Sequence, residues 1–180
     1  SKSQGLKAQA KLNIEKFIDS FSGIEEKEMW VKSYLEAGEY GHKIRHELYE
    51  SVIFPVLVHG YRSNDSWSLF WLAETIQNVF ASQVLHKQID FNSDSWLLKK
   101  CFEIDESNRN VRLRLLDCTV RCLDYAIHEW PCGVLYAPDE SPDDMLTEIE
   151  WARSLDVECR YSEFLSRVEA IVKEDKSKKA

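Results

Sequence analysis

Glycine and proline are scarce in this chain, at six and four of 180 residues. That is too little of either for a disordered, collagenous or low-complexity polymer, and the 12% aromatic content points the same way. Six scattered glycines supply no P-loop and no dinucleotide fingerprint, and no Gly-x-Ser-x-Gly elbow occurs. No stretch approaches the roughly 20 uncharged apolar residues that cross a bilayer. The N-terminal residues lack an apolar core followed by small residues, so no secretory signal is expected. Basic charge is also short: 23 Lys+Arg stand against 31 Asp+Glu, a net −8. A general nucleic-acid binder needs basic surface to displace condensed counterions, so the charge counts against that class and no nucleic-acid partner is expected. The five cysteines are odd in number and lack paired spacing, which disfavours a secreted disulfide framework. Reduced thiols and a cytoplasmic location are the expectation.

What is present is helical period almost throughout. Leu6, Ala10, Ile14, Phe17, Ile18 and Phe21 form one stripe, which Ser22-Gly23 ends. A second helix is predicted over Glu25–Ala37, with acids in its first turn and Gly38 at its exit. A third starts near Glu39; Pro55 should kink or end it and Gly60 should close the segment. Asp65 is placed to cap the longest helix, Ser66 to Lys87, and Ser93 or Asp94 to cap a short one. Asn108 precedes a helix from Arg109 to Trp130 that is apolar over most of its circumference, as in a helix packed between others. Ser141-Pro142-Asp143-Asp144 reads as cap, first-position proline and acidic first turn. The pattern predicts an all-α fold of about eight helices stacked as antiparallel helical hairpins, with no sheet. One domain is expected over 1–175, followed by a frayed charged tail at 176–180.

Cys101-x-x-Ile104-Asp105-Glu106 and Ala152-x-x-Leu155-Asp156-Val157 resemble the end of the second helix in a tetratricopeptide repeat. The two copies lie 51 residues apart, where a regular array repeats every ~34. The resemblance implies stacked helices with an exposed groove and an adaptor that binds a peptide there. As a small, acidic, helical chain, the sequence is also similar in general class to bacterial immunity proteins, which neutralise toxin domains by binding them.

Motifs that could carry chemistry are few. His42 and His46 are four apart and share a helix face, so they form a weak metal candidate, with Glu39 or Glu50 as further ligands. A helical metal- or ligand-binding enzyme is the reading that follows from them; a solvated helix face is the alternative. Glu-x-x-His occurs at Glu39/His42 alone, which rejects a di-iron carboxylate bundle. Cys118 and Cys122 extend an apolar stripe and read as buried packing thiols. No catalytic residue and no cofactor are expected.

The acidic residues are more informative. Residues 1–90 net −2 and residues 91–180 net −6. Over 137–151 stand Asp139, Glu140, Asp143, Asp144, Glu148 and Glu150, with no basic residue among them. They serve the start of a helix and keep a loop wet, or they dock a basic partner. Trp130 and Tyr136 flank the adjoining Pro/Gly-rich segment, and aromatic anchors beside carboxylates compose a protein-binding hot spot. The expectation is therefore a non-enzymatic, immunity-type protein. Trp130 and Tyr136 would anchor a basic protein partner, while Asp139, Glu140, Asp143 and Asp144 steer it.

Overall fold

The computed structural model describes residues 2–38, 44–128 and 141–179. Helix accounts for 81% of it, and no strand occurs among the described residues. Among the described residues eight helices reach seven residues or more, in line with the roughly eight that the periodicity predicts. The fold is all-α. No helix among the described residues is long and apolar enough to cross a membrane. Two compact units divide the chain, Ser1–Ile104 and Asp105–Ala180.

In the first unit α1 (Lys2–Asp19) and α2 (Ile24–Ala37) are tied by rings: Trp30 of α2 lies 5.1 Å from Phe17 and 5.9 Å from Phe21. Such edge-on contacts add to the apolar area they cover. Gly38 ends α2 with φ 67°, a left-handed turn that glycine adopts without a Cβ penalty.

Next come α3 (His46–Leu48), a π-helical turn (Tyr49–Ile53) and α4 (Phe54–Arg62). At Pro55, where the pattern predicts a kink or an end, one element gives way to the next without the chain leaving helix. Proline lacks an N–H, so a helix passing through it leaves the Ser51 carbonyl without its usual partner. The chain widens into the π turn, where the Phe54 N–H donates to the Tyr49 carbonyl, and α4 continues with Pro55 near its start. Lys27 of α2 donates its Nζ to the Ser51 carbonyl at 3.0 Å, satisfying the group that Pro55 leaves open. Gly60 lies inside α4, buried, rather than ending the segment.

The predicted helix over Ser66–Lys87 is three helices: α5 (Ser66–Glu74), α6 (Ile76–Phe80) and α7 (Gln83–Gln88). Thr75 makes the first break. Its Oγ1 donates back to the Trp71 carbonyl at 2.6 Å and meets the buried Tyr49 hydroxyl at 2.8 Å. Ser82 makes the second by capping α7, accepting from the Leu85 N–H. Hydroxyl side chains that bond nearby backbone offer the chain an alternative to helix, and both breaks use it. Ser93 then caps α8 (Asp94–Ile104), accepting from the Trp96 N–H. The core of this unit gathers Val31, Leu35, Ile53, Leu57, Leu69, Leu72, Leu97 and Leu98, all essentially excluded from solvent.

The second unit holds α9 (Arg109–His128), α10 (Pro142–Leu155) and α11 (Ser162–Lys179). Asn108 caps α9 as predicted, its Oδ1 accepting from the Asn110 and Val111 N–H groups. α9 is also the longest helix among the described residues, at 20. Its residues clamp the α10–α11 turn. Arg112 donates to the Leu155 carbonyl at 2.7 Å, covering an orphan at the end of α10, and the Tyr161 hydroxyl donates to Asp117 at 2.8 Å. Asp156 closes the turn by accepting from the Arg160 and Tyr161 N–H groups. The two tetratricopeptide-like stretches fall at the ends of α8 and α10.

Candidate functional site

Of the sequence-predicted site residues, His42, Trp130, Tyr136, Asp139 and Glu140 lie outside the described residues. The others have definite places. Asp144 completes a capping box on α10: its carboxylate accepts from the Ser141 N–H at 2.9 Å and hydroxyl at 2.6 Å, and Ser141 Oγ accepts from the Asp144 N–H at 3.3 Å. The Ser141 hydroxyl and N–H together hold the Asp144 carboxyl below its ordinary range. Asp143 forms an exposed ion pair with Lys176 of α11. Both carboxylates face solvent and both have intramolecular work. Glu150 is exposed, whereas Glu148 is half-buried.

Most other acids of the second unit are similarly engaged. Glu169 accepts from Lys173 and Arg153, which keep its carboxyl below the usual value. Glu158 pairs with Arg109 at 2.8 Å, and Glu174 pairs with Lys178 at 2.7 Å. Exposed pairs of this kind are worth about 0–1 kcal/mol and exchange readily.

His46 lies 3.3 Å from Glu50, an exposed pair one turn apart. Among the described residues no group of three or more His, Cys, Asp or Glu side chains is arranged to hold a metal. Cys118 is buried as expected, but Cys122 is exposed: burial on α9 fades toward its end, where Tyr125 is also open to solvent. None of the five described tryptophans is fully buried. Trp30, Trp67, Trp71 and Trp151 are half-buried and Trp96 is exposed. Trp67 shows why: its Nε1 donates to Glu36 at 3.1 Å while Lys32 sits over its ring, the wet edge of an otherwise apolar residue.

A second feature was not marked by the sequence. In the first unit a cleft of about 360 Å³ opens between α4 and α7, with Ile24 of α2 on its rim. Large apolar side chains stand in water at it and beyond it: Val84 is 68% and Ile24 45% exposed on its lining, Met29 is 71% exposed in an adjoining hollow that Ile24 also borders, and Phe91, past the end of α7, is 59% exposed. Phe91 is held there by backbone geometry. The Asp90 N–H donates to the Lys87 carbonyl and the Phe91 N–H to the His86 carbonyl, the paired bonds that close a Schellman helix end. Asp90 and Phe91 both take left-handed φ, 55° and 57°, where glycine is usual, and such positions cost about 1–3 kcal/mol each. The Tyr61 hydroxyl fixes Asp90 by donating to its carboxylate at 2.9 Å. Burial, then the Asp90 carboxylate, raises the Tyr61 pKa, so this bond persists at neutral pH. The Phe91 ring packs on His86 at 5.0 Å, and His86 packs on Phe80 at 4.9 Å.

Comparison with known proteins gives no match, whether to a family model, a curated protein or a solved structure.

Proposed function

We propose that this protein works by stoichiometric binding of another, basic protein, without bond-making chemistry of its own, as an immunity-type neutraliser does. The observation that supports this most is the concentration of acid in one compact unit. Residues 105–180 hold 17 Asp+Glu against 11 Lys+Arg, a net −6. A field of that sign steers cationic partners and raises their rate of encounter. Exposed Asp143, Asp144 and Glu150 put part of that charge on α10, and Trp130 and Tyr136 are the anchors assigned from sequence. An Asp143 already paired with Lys176 remains usable, because a partner's arginine can displace a surface lysine at little cost.

The capping box dictates which variants test this. Asp144 should be left alone, since its loss would unwind the start of α10. The variant Asp143→Lys/Glu150→Lys shifts net charge by +4 without touching the cap. The full chain, immobilised, should retain a basic protein at one-to-one stoichiometry, with an association rate that falls as salt rises. The charge-reversed chain should associate about tenfold more slowly. Retention of acidic proteins only, or a rate indifferent to salt and to both substitutions, refutes the reading.

A further inference from the structure

The geometry points to a second copy of this chain as the occupant of the α2/α4/α7 face of the first unit. Three observations carry it.

The first is continuity. Ile24 and Val84 border the same cleft, and Ile24 and Met29 border the adjoining hollow. These three exposed apolar side chains therefore form one strip rather than isolated points, and such strips on a folded surface mark interaction sites.

The second is the charge at its two ends. Lys27 bonding to the Ser51 carbonyl sets the start of α2 beside the π turn, which brings Glu25 and Glu26 to the Glu50 end of the cleft. Tyr61 bonding to Asp90 brings the exit of α7 to the exit of α4, so Lys87 joins His59 and Arg62 at the other end. Glu50 and Arg62 are twelve residues apart, about 18 Å along a helix. The side chains of Glu25, Arg62 and Lys87 make no ion pair or hydrogen bond among the described residues. One end of the strip is thus mainly acidic, although Lys27 and His46 stand beside Glu50, and the other mainly basic, although Asp90 stands near Lys87; Glu25, Arg62 and Lys87 are the charges left unanswered within the chain.

The third is shape. The strip carries both a hollow, the cleft, and projecting side chains, Val84 beside the cleft and Met29 beside the adjoining hollow. A surface that holds knob and hole, acid and base, is complementary to itself. Two copies related by a two-fold axis across the strip set Glu25 and Glu50 of each against Arg62 and Lys87 of the other. A basic partner would answer only one end of the strip and an acidic partner only the other; a second copy answers both.

The test is the mass of the purified full chain by sedimentation velocity across a hundredfold concentration range, in low and physiological salt. The expected result is a shift from 21.1 kDa to twice that mass, with the dimer weakened by salt. Val84→Glu should weaken the dimer at least tenfold, and Arg62→Glu about three- to tenfold. The double variant Glu50→Arg/Arg62→Glu reverses both ends together and should recover most of what Arg62→Glu loses. Circular dichroism and thermal melting of each variant report folding, and all three residues, Glu50, Arg62 and Val84, are surface positions. A chain that stays at 21.1 kDa up to several hundred micromolar overturns the proposal, as does a dimer indifferent to Val84→Glu. A double variant weaker than Arg62→Glu also overturns it, because end-to-end pairing demands recovery. Binding of the basic partner described above is unaffected by these outcomes, since its variants lie in the second unit.

Discussion

Gly60→Ala separates packing from helix propensity by the sign of its effect. The backbone at Gly60 is helical, so propensity alone predicts a gain of about 0.5–1 kcal/mol for alanine. The surroundings predict the reverse. A Cβ on Gly60 would fall 2.0 Å from Ser68 Oγ and 2.5 Å from Ser68 Cβ. That hydroxyl cannot swing away freely, since it donates to Asp65 Oδ2 at 2.6 Å, and the same carboxylate caps α5 by accepting from the Ser68 N–H at 2.9 Å. Nor can the Ser68 Cβ move without its helix. Alanine must push α5 away from α4, an overpacking cost of about 1–3 kcal/mol, and disturb a cap worth about 1 kcal/mol. Subtracting the propensity gain leaves a net loss of about 1–3 kcal/mol. For a chain of this size that is a fall in Tm of roughly 2–12 °C. Thermal and urea unfolding followed by circular dichroism at 222 nm measure it. Ser68→Gly in the Gly60→Ala background opens the space again, so the double variant should be more stable than the sum of the single effects predicts. A Gly60→Ala protein as stable as the parent, or more so, would refute the reading of Gly60 as the contact point between α4 and α5.

The other predictions concern the backbone devices and the carboxylates. Lys27→Met should cost about 1–2 kcal/mol by stranding the Ser51 carbonyl, and Pro55→Ala in that background should recover part of the loss by restoring an N–H donor; urea melts of the four-member cycle read the coupling. Asn64 holds φ 55° at the exit of α4, so Asn64→Ala should lose about 1 kcal/mol while Asn64→Gly loses nothing. The Ser22 N–H and hydroxyl lower the Glu26 pKa, the Ser141 groups that of Asp144, and Lys173 with Arg153 that of Glu169. Depressed folded-state values place their stabilisation above the ordinary carboxylate values of 4.5 and 3.8, and it is lost as pH falls through the lower folded values. Tm should therefore be flat near neutrality and decline below about pH 4.5, and Glu169→Gln should lower the plateau while shallowing the decline.

Helix starts were legible in the sequence because capping is local. Asp65, Ser93, Asn108 and Ser141 each act through a side chain that reaches two or three residues onward, a distance the sequence displays. Breaks were less legible because their causes are tertiary. Thr75 interrupts an apolar period only because Tyr49, 26 residues earlier, meets its hydroxyl in the core. Pro55 reads as a kink or an end, and only Lys27, from another helix, shows how the path continues, by supplying a donor to the carbonyl that proline frees. Gly60 reads as an end because glycine often is one, and only the approach of Ser68 shows the other use. The exposed strip was hidden for a related reason. Val84 fits the same helical period as the buried Leu72, Val79 and Leu85, and no periodicity states which apolar face lacks a neighbour. Phe91 carries no signal at all, since its left-handed turn is made by Asp-Phe where the recognisable form has glycine.

Pairing and steering draw on different parts of one charge set. In the second unit Glu158, Glu169, Glu174 and Asp143 answer Arg109, Arg153, Lys173, Lys178 and Lys176, and each pair contributes almost nothing to the field several ångströms away. What remains after pairing is the surplus, net −6 across residues 105–180, and that surplus sets the encounter rate with a cation whichever carboxylates supply it. Substituting a single paired acid should therefore change association little more than substituting any other surface acid, while cumulative reversal changes it steadily. The first unit works the other way. Its local balance matters less than the separation of Glu25 and Glu50 from Arg62 and Lys87 along one strip, which makes orientation rather than sum the quantity that counts. Neutralising both ends together would leave its net charge unchanged and still remove the preference of one copy for the antiparallel alignment of another.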